Sequence, residues 1–473
     1  MRDSSKGRGI ISIVLMLILS ISLVELCPDG LTEAYLSTYV ACAISIFCCG
    51  LLISHNYIKN GFDIFDPFTV ISALYIAMYF VTPIYDICER EYYWFGYELF
   101  KYGAKTTVIA FCGYLAFYVF YSYYLDIRKK SKRFSLASEK IVHSAGTGTV
   151  YIPLVLVMYA FCFAANVFYL SRYNGNSLLY MLTLGVIGEG GTIETTESSI
   201  GFISMFSYSL PAITLIYWEY GKSKALKWAL FVPMLMLQVV TGFRFFVLQI
   251  AITFLAYYYI KKGKRPRLAT MLLVFAVIMV PIIVMTMFRV SLRTGLGIDM
   301  SSVSMVTLQS AFEEAVLDNF RIYQNVYGMV GVIPSRYPYV YGRQIFWGTL
   351  FMVIPRIIWP GKLSSYGGYG LAKLIGKDIA DGQAYPNIGE FYYAFGTLGV
   401  IFFMALYGKW MKYVRDRFKE TNCGLDLITY AVLLGTNLQI IIRGYTPSNF
   451  WYVVFAIIPV WIARKFLYRE ENK

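Results

Sequence analysis

The chain has 473 residues, 58% of them Ala, Val, Ile, Leu, Met, Phe, Trp, Tyr or Cys and only 15% charged, with a mean hydropathy of +0.56. That composition excludes a water-soluble globular protein and identifies an integral membrane protein. The formal charge of +14 is scattered over short loops, which excludes a groove-sized basic face for nucleic acid.

Length alone suggests about three soluble domains, but apolar runs separated by short polar loops make residues 1–473 a single polytopic membrane domain. The chain opens with MRDSSKGRG and then IISIVLMLILSISLVEL, a basic flank before an apolar core. A cleaved lipoprotein signal needs a small residue before Cys27, and Leu26 stands there, so this segment reads as a retained signal anchor. The predicted fold is all-α with about twelve transmembrane helices. They fall near 10–26, 34–54, 68–85, 103–125, 150–171, 201–220, 226–242, 243–260, 268–288, 389–409, 425–442 and 449–466. The seventh and eighth form a hairpin turning at TGFR. The segment 343–359 is apolar but interrupted by proline, and it reads as a re-entrant or interfacial piece.

Orientation follows from the loops. RKKSKR (128–133), KSKALK (222–227), KKGKRPR (261–267), KWMKYVRDRFK (409–419) and both termini fall on one side. CPDGLTE and CEREYYWFGYE fall on the other. The excess of Lys and Arg puts the first side in the cytoplasm and attracts anionic membrane lipids there. Residues 289–388 then form one long outer loop carrying short helices, and long loops are usually functional. It is rich in cations, among them Arg289, Arg293, Arg321, Arg336, Arg343, Arg356 and Lys362, against the positive-inside trend. Cys27 and Cys88 also map outside, where a disulfide is permitted.

Arg244, after TG at the start of the eighth span, and Arg443, at the end of the eleventh, point to the same outer face. Arg289 and Arg293 lie four apart and share a helix face. An arginine at a span end can snorkel to headgroups, but four together at a cost of about 2.5–3.5 kcal/mol each when held deep call for an anionic partner. Guanidinium forks match phosphate oxygens, and a pyrophosphate suits several at once. In IPRIIWPGK (354–362) prolines fix the backbone around Arg356, Trp359 and Lys362.

These residues carry a resemblance. IPRIIWPGK, preceded by RQIFWGTLFMV and followed by GEFYYAFGTLGVIFFMALYGK (389–409), resembles the bacterial oligosaccharide repeat unit polymerases, the Wzy-type O-antigen polymerases. TGFR, FRVSLRTG (288–295), the Phe395, Gly396 and Gly399 step, and the Arg443–Gly444 pair are similar to the family pattern as well. The resemblance covers most of 240–460. It implies a GT-C-like glycosyltransferase of the bacterial inner membrane, with both termini cytoplasmic and the site periplasmic. Its substrate would be an undecaprenyl-pyrophosphate-linked oligosaccharide, and a chain-length regulator protein is an expected partner. Arg244, Arg289, Arg356 and Arg443 would stabilise the pyrophosphate as the sugar–phosphate bond breaks. Arg293, Trp359, Lys362, Tyr366 in SSYGGYGLAK and Tyr392 in GEFYYAFG would hold phosphate, isoprenoid or sugar.

The proton acceptor is harder to read. His55 and His143 both map to cytoplasmic loops, which separates this chain from the related O-antigen ligases, where an outer histidine is expected. Glu390, at the entry to the tenth span, is the nearest carboxylate, although an acid there also suits a helix N-terminus. Glu189, Glu194, Glu313, Glu314, Asp318 and Asp381 read as solvated loop charges. No cofactor or metal is expected, since the cysteines lack CxxC spacing and the outer loops lack a DxD. The rival class is a lipid-linked oligosaccharide flippase or other transporter, but the halves show no similarity and the outer charges gather at one face.

Overall fold

A computed structural model describes residues 25–94, 96–122, 148–173, 201–240, 244–263, 319–354, 385–421 and 424–470, with scattered positions at 22, 266–283, 313, 317, 358 and 359. The expected spans at 10–26 and 268–288 lie mostly outside these residues.

Apolar segments in lipid must satisfy their own backbone groups, so they coil. α1 is Glu33–Asn60, ended by Gly61 at φ +79°. α2 (Pro67–Ile76) starts where Asp66 accepts the Phe68 N–H at 3.0 Å, with proline in the first turn, both favoured at helix starts. It passes through a π-helical turn, Ala77–Val81, into α3 (Thr82–Cys88). Pro83 removes a backbone donor at this turn, and the Thr82 hydroxyl donates to the Ala77 carbonyl at 2.8 Å. A short hairpin, β1 (Tyr93–Trp94) with β2 (Tyr97–Glu98), leads to α4 (Gly103–Ser122).

β3 (Gly148–Val150) precedes α5 (Ile152–Tyr173). A 3-10 stretch, Gly201–Ser209, enters α6 (Leu210–Tyr220), followed by α7 (Lys224–Val240) and α8 (Arg244–Lys262). α9 (Tyr323–Val332) and α10 (Arg343–Met352) are short. The chain then runs through α11 (Asn387–Thr421), α12 (Gly424–Ile442) and α13 (Thr446–Ile462), and β4 (Tyr468–Glu470) pairs antiparallel with β3.

Among the described residues seven helices are long and apolar enough to cross a membrane: 33–59, 67–88, 100–122, 152–169, 387–419, 424–442 and 446–466. The chain is therefore a mostly helical polytopic membrane protein. The segments expected as spans at 201–220, 226–242 and 243–260 are helical too, over Leu210–Tyr220, Lys224–Val240 and Arg244–Lys262. α10 has ten residues and reaches about 15 Å, half the hydrocarbon thickness, so it does not cross.

Two cores form. α1–α4, α9 and α11 enclose one, centred on Tyr75, Tyr114, Phe117 and Tyr327. α5–α8, α12 and α13 enclose the other, centred on Ile213, Met234, Ile428 and Val460. α12 joins them, giving Leu438, Ile441 and Ile442 to the first and Ile428, Ala431 and Leu434 to the second. Small residues let backbones approach. A Cβ on Gly408 of α11 would lie 2.4 Å from the Phe117 carbonyl of α4, and one on Gly435 of α12 would lie 2.2 Å from Thr253 Oγ1 of α8.

Candidate functional site

The turn between α12 and α13 carries Arg443. Its backbone N–H closes the last turn of α12 on the Gln439 carbonyl at 2.9 Å, and its carbonyl accepts from the Asn449 amide at 2.8 Å. Gly444 follows, donating its N–H to the Tyr385 carbonyl at 2.8 Å. A Cβ at 444 would stand 2.1 Å from Asn387 Cα and N, so no other residue fits against the start of α11.

Glu390, in the first turn of α11, is fully buried. Its Oε2 accepts the Thr446 backbone N–H at 2.8 Å and the Thr446 hydroxyl at 2.5 Å. Thr446 opens α13, so Glu390 caps a helix on another part of the chain, satisfying an orphan donor at its positive end. Its Oε1 is buried with no hydrogen-bond partner among the described residues. Tyr445, beside it, is pushed up to about 12 by burial and then by the Glu390 charge.

Arg244 is the first residue of α8, and the packing of α8 on α12 brings it to the same end as Arg443. The pair is antiparallel. Gly424, at the start of α12, packs on Glu219, which also binds Tyr257 and Lys261 near the end of α8. Gly435 lies against Gln249 and Thr253. Following that register eight residues further, from 435 to 443, reaches the first residues of α8. The start of α8, where Arg244 stands, and the end of α12, before Arg443, therefore lie toward the same end of this helix pair.

A family model described as O-antigen polysaccharide polymerase Wzy matches residues 9–471. The chain belongs to this family. Among curated proteins, the O-antigen polymerase of Salmonella typhimurium is 24% identical over 286 residues, 59% of this chain and 65% of that protein. The O-antigen polymerase of Salmonella typhi gives the same figures. The chain thus spans 65% of the length of these relatives. No solved structure matches.

The Gly-rich step of this Wzy-family chain is a helix break. Phe395 (φ −146°, ψ 22°) and Gly396 (φ +65°, ψ −151°) interrupt α11, and the positive φ is one that a residue bearing a Cβ rarely adopts. A Cβ at 396 would also lie 2.8 Å from the Tyr339 hydroxyl. The break frees the Tyr393 carbonyl to accept from the Val340 N–H at 3.1 Å, fastening the segment after α9 to α11. Tyr392 joins that seam: it is buried, and its hydroxyl donates to the Ile333 carbonyl at 3.2 Å. Trp359 packs edge-on to Phe351 of α10 at 5.1 Å and is 42% exposed. α10 in turn is held to α13, where the Trp451 indole N–H donates to the Thr349 carbonyl at 2.7 Å.

Of the expected site residues, the structure joins Glu390 to the turn that carries Arg443, places Tyr392 on α11 and packs Trp359 against Phe351 of α10. Arg289, Arg293, Arg356, Lys362 and Tyr366 lie outside the described residues, as does the side chain of Arg244. Arg321 has a structural partner that the sequence did not reveal. Its Nε lies 2.9 Å from Asp86 Oδ1, and Asp86 Oδ2 accepts from the Tyr323 hydroxyl at 2.8 Å. Asp86 is fully buried near the end of α3. The signal was a lone acid in PIYDIC close to a span end, but its partner stands 235 positions away. Cys27 and Cys88 are free thiols, with Cys88 Sγ 3.9 Å from the Leu26 carbonyl.

Proposed function

We propose that this Wzy-family chain polymerises lipid-linked oligosaccharide repeat units on the periplasmic face of the inner membrane. The growing glycan leaves undecaprenyl pyrophosphate, and a hydroxyl of the next lipid-linked repeat unit replaces it. The bond from the sugar's anomeric carbon to phosphate oxygen breaks, a bond to the acceptor oxygen forms, and the acceptor proton goes to a base or to solvent. Charge grows on the departing pyrophosphate, and fixed cations facing it lower the barrier.

The observation that carries this reading is the clamped Arg443 turn. It is gripped by Tyr385, Asn387 and Glu390, and the antiparallel packing of α8 on α12 runs the start of α8, with Arg244, toward the same end. Arg443 and Arg244 take the role of pyrophosphate stabilisers here. Arg289, Arg293, Arg356 and Lys362 add charge from the outer loop 289–388, and Trp359, Tyr366 and Tyr392 border the sugar or isoprenoid. About twelve spans, a GT-C-like arrangement, cytoplasmic termini and a chain-length regulator partner belong to the same reading.

Glu390 enters first as the proton acceptor, because its Oε1 is without a hydrogen-bond partner among the described residues. Its burial and its two bonds to Thr446 favour a second role, as the positioning residue that keeps Arg443 in place.

The test uses purified protein, a synthetic undecaprenyl-pyrophosphate repeat unit and EDTA, with products resolved on a gel. A ladder that disappears in Arg443→Ala supports a metal-independent polymerase. Absence of a ladder, together with passage of the same lipid across proteoliposome bilayers, assigns the chain to the transporters.

A further inference from the structure

At the end of the molecule opposite Arg443, α11, α12 and α13 diverge around a cleft of about 250 Å³. Arg417 and Tyr413 of α11 stand at one side, Asp426 of α12 at the back and Arg464, just past α13, at the other. Trp410 and Trp461 complete an aromatic wall. The Arg417 guanidinium donates to the Tyr413 hydroxyl at 3.1 Å, and Arg464 pairs with Asp426. Two arginines and one aspartate line the cleft, so its lining holds more cationic than anionic side chains.

We propose that this cleft binds one anionic phospholipid of the cytoplasmic leaflet, with its phosphate between Arg417 and Arg464 and an acyl chain along the aromatic wall. Charge complementarity selects the headgroup. The wall selects a lipid over a soluble anion, because Tyr413 and Trp461 are each 54% exposed, and tyrosine and tryptophan near span ends settle between headgroups and hydrocarbon. Lys465, with its ammonium 5.3 Å from the Trp461 ring, adds positive charge at the rim. Basic clefts between spans on the cytoplasmic side are suited to anionic headgroups. The same lipid would staple the ends of the three helices whose opposite ends build the Arg443 turn.

The test is native mass spectrometry of the full chain in detergent with four probes: phosphatidylglycerol, phosphatidylethanolamine, glycerol 3-phosphate and undecaprenyl phosphate. Phosphatidylglycerol is expected to bind about fivefold better than phosphatidylethanolamine per arginine engaged. Arg417→Glu should remove that preference, while Lys222→Glu, an equal change of charge on a distant exposed loop, should leave it intact. Equal binding of the two phospholipids, or a preference that survives Arg417→Glu, overturns the proposal. Displacement by glycerol 3-phosphate would show a phosphate site with no lipid selectivity, and stronger binding of undecaprenyl phosphate would show a carrier site, so either also overturns it.

Discussion

Single residues at the Arg443 turn separate two kinds of chemistry. If Glu390 positions the turn, Glu390→Gln keeps an amide oxygen able to accept both Thr446 bonds, and activity should fall less than in Glu390→Ala even though its amide NH2 takes the unpartnered place of Oε1. Glu390→Ala loses the cap and strands buried donors, a loss of about 1–3 kcal/mol, which is about tenfold or more in ladder formation if it transmits to Arg443. A polymerase assay in which Gln is as inactive as Ala would make Glu390 the proton acceptor instead. Arg443→Ala should lower turnover by about 10²–10³, the scale for removing one charge-stabilising donor, without loss of membrane insertion. Arg443 and Glu390 were both legible in the sequence as charges at the ends of apolar runs. Their geometry was not, because Thr446 lies 56 positions from Glu390 and no local pattern records that pairing.

Elements show the same division between local and distant information. The apolar runs and the polar loops between them predict where α1, α4, α12 and α13 lie to within a few residues, whereas α11 continues to Thr421 through 409–419, which was expected as a loop. The break at Phe395–Gly396 was visible as a Gly-rich step, though its use in binding the Val340 backbone was not. A short helix such as α9 was expected in the long loop, but its burial was not legible, since that comes from partners elsewhere: Asp86 holds Arg321 and Tyr323, and the Trp94 indole donates to Asn325 at 2.8 Å. Breaking a buried ion pair by removing one partner costs about 3–5 kcal/mol. Asp86→Ala should therefore lower the melting temperature of the purified protein and expose the α9 segment to proteolysis. Arg321→Ala should destabilise on a similar scale, because it leaves the fully buried Asp86 carboxylate without this guanidinium. Similar stability of wild type and Asp86→Ala would remove the ion pair as the anchor of α9. A second test concerns helix contact. Gly408→Val should separate α11 from α4, since even a Cβ falls 2.4 Å from the Phe117 carbonyl, and folded yield in membranes should fall steeply.

The whole molecule has one property on which the proposed chemistry depends, its direction in the membrane. Arg443, the Gly444 contact and the α9 and α10 segments lie at one end; Lys222, Lys261 and the Arg417–Arg464 cleft lie at the other. From the loop charges the second end is expected in the cytoplasm, and the proposed polymerisation needs the first end outside. Cys88 supplies a native probe, because it is exposed at the Arg443 end with a free thiol. A membrane-impermeant maleimide should label intact spheroplasts of the wild type and not of a variant with both Cys27→Ser and Cys88→Ser, since both thiols are free at this end. In that double-serine background, Tyr337→Cys should label without permeabilisation and Lys222→Cys only after it, as both positions are exposed in the fold. The reverse pattern would put the Arg443 turn in the cytoplasm. The arginines would then face the side where the repeat unit has not yet been presented, and polymerisation at this site would be ruled out whatever its family.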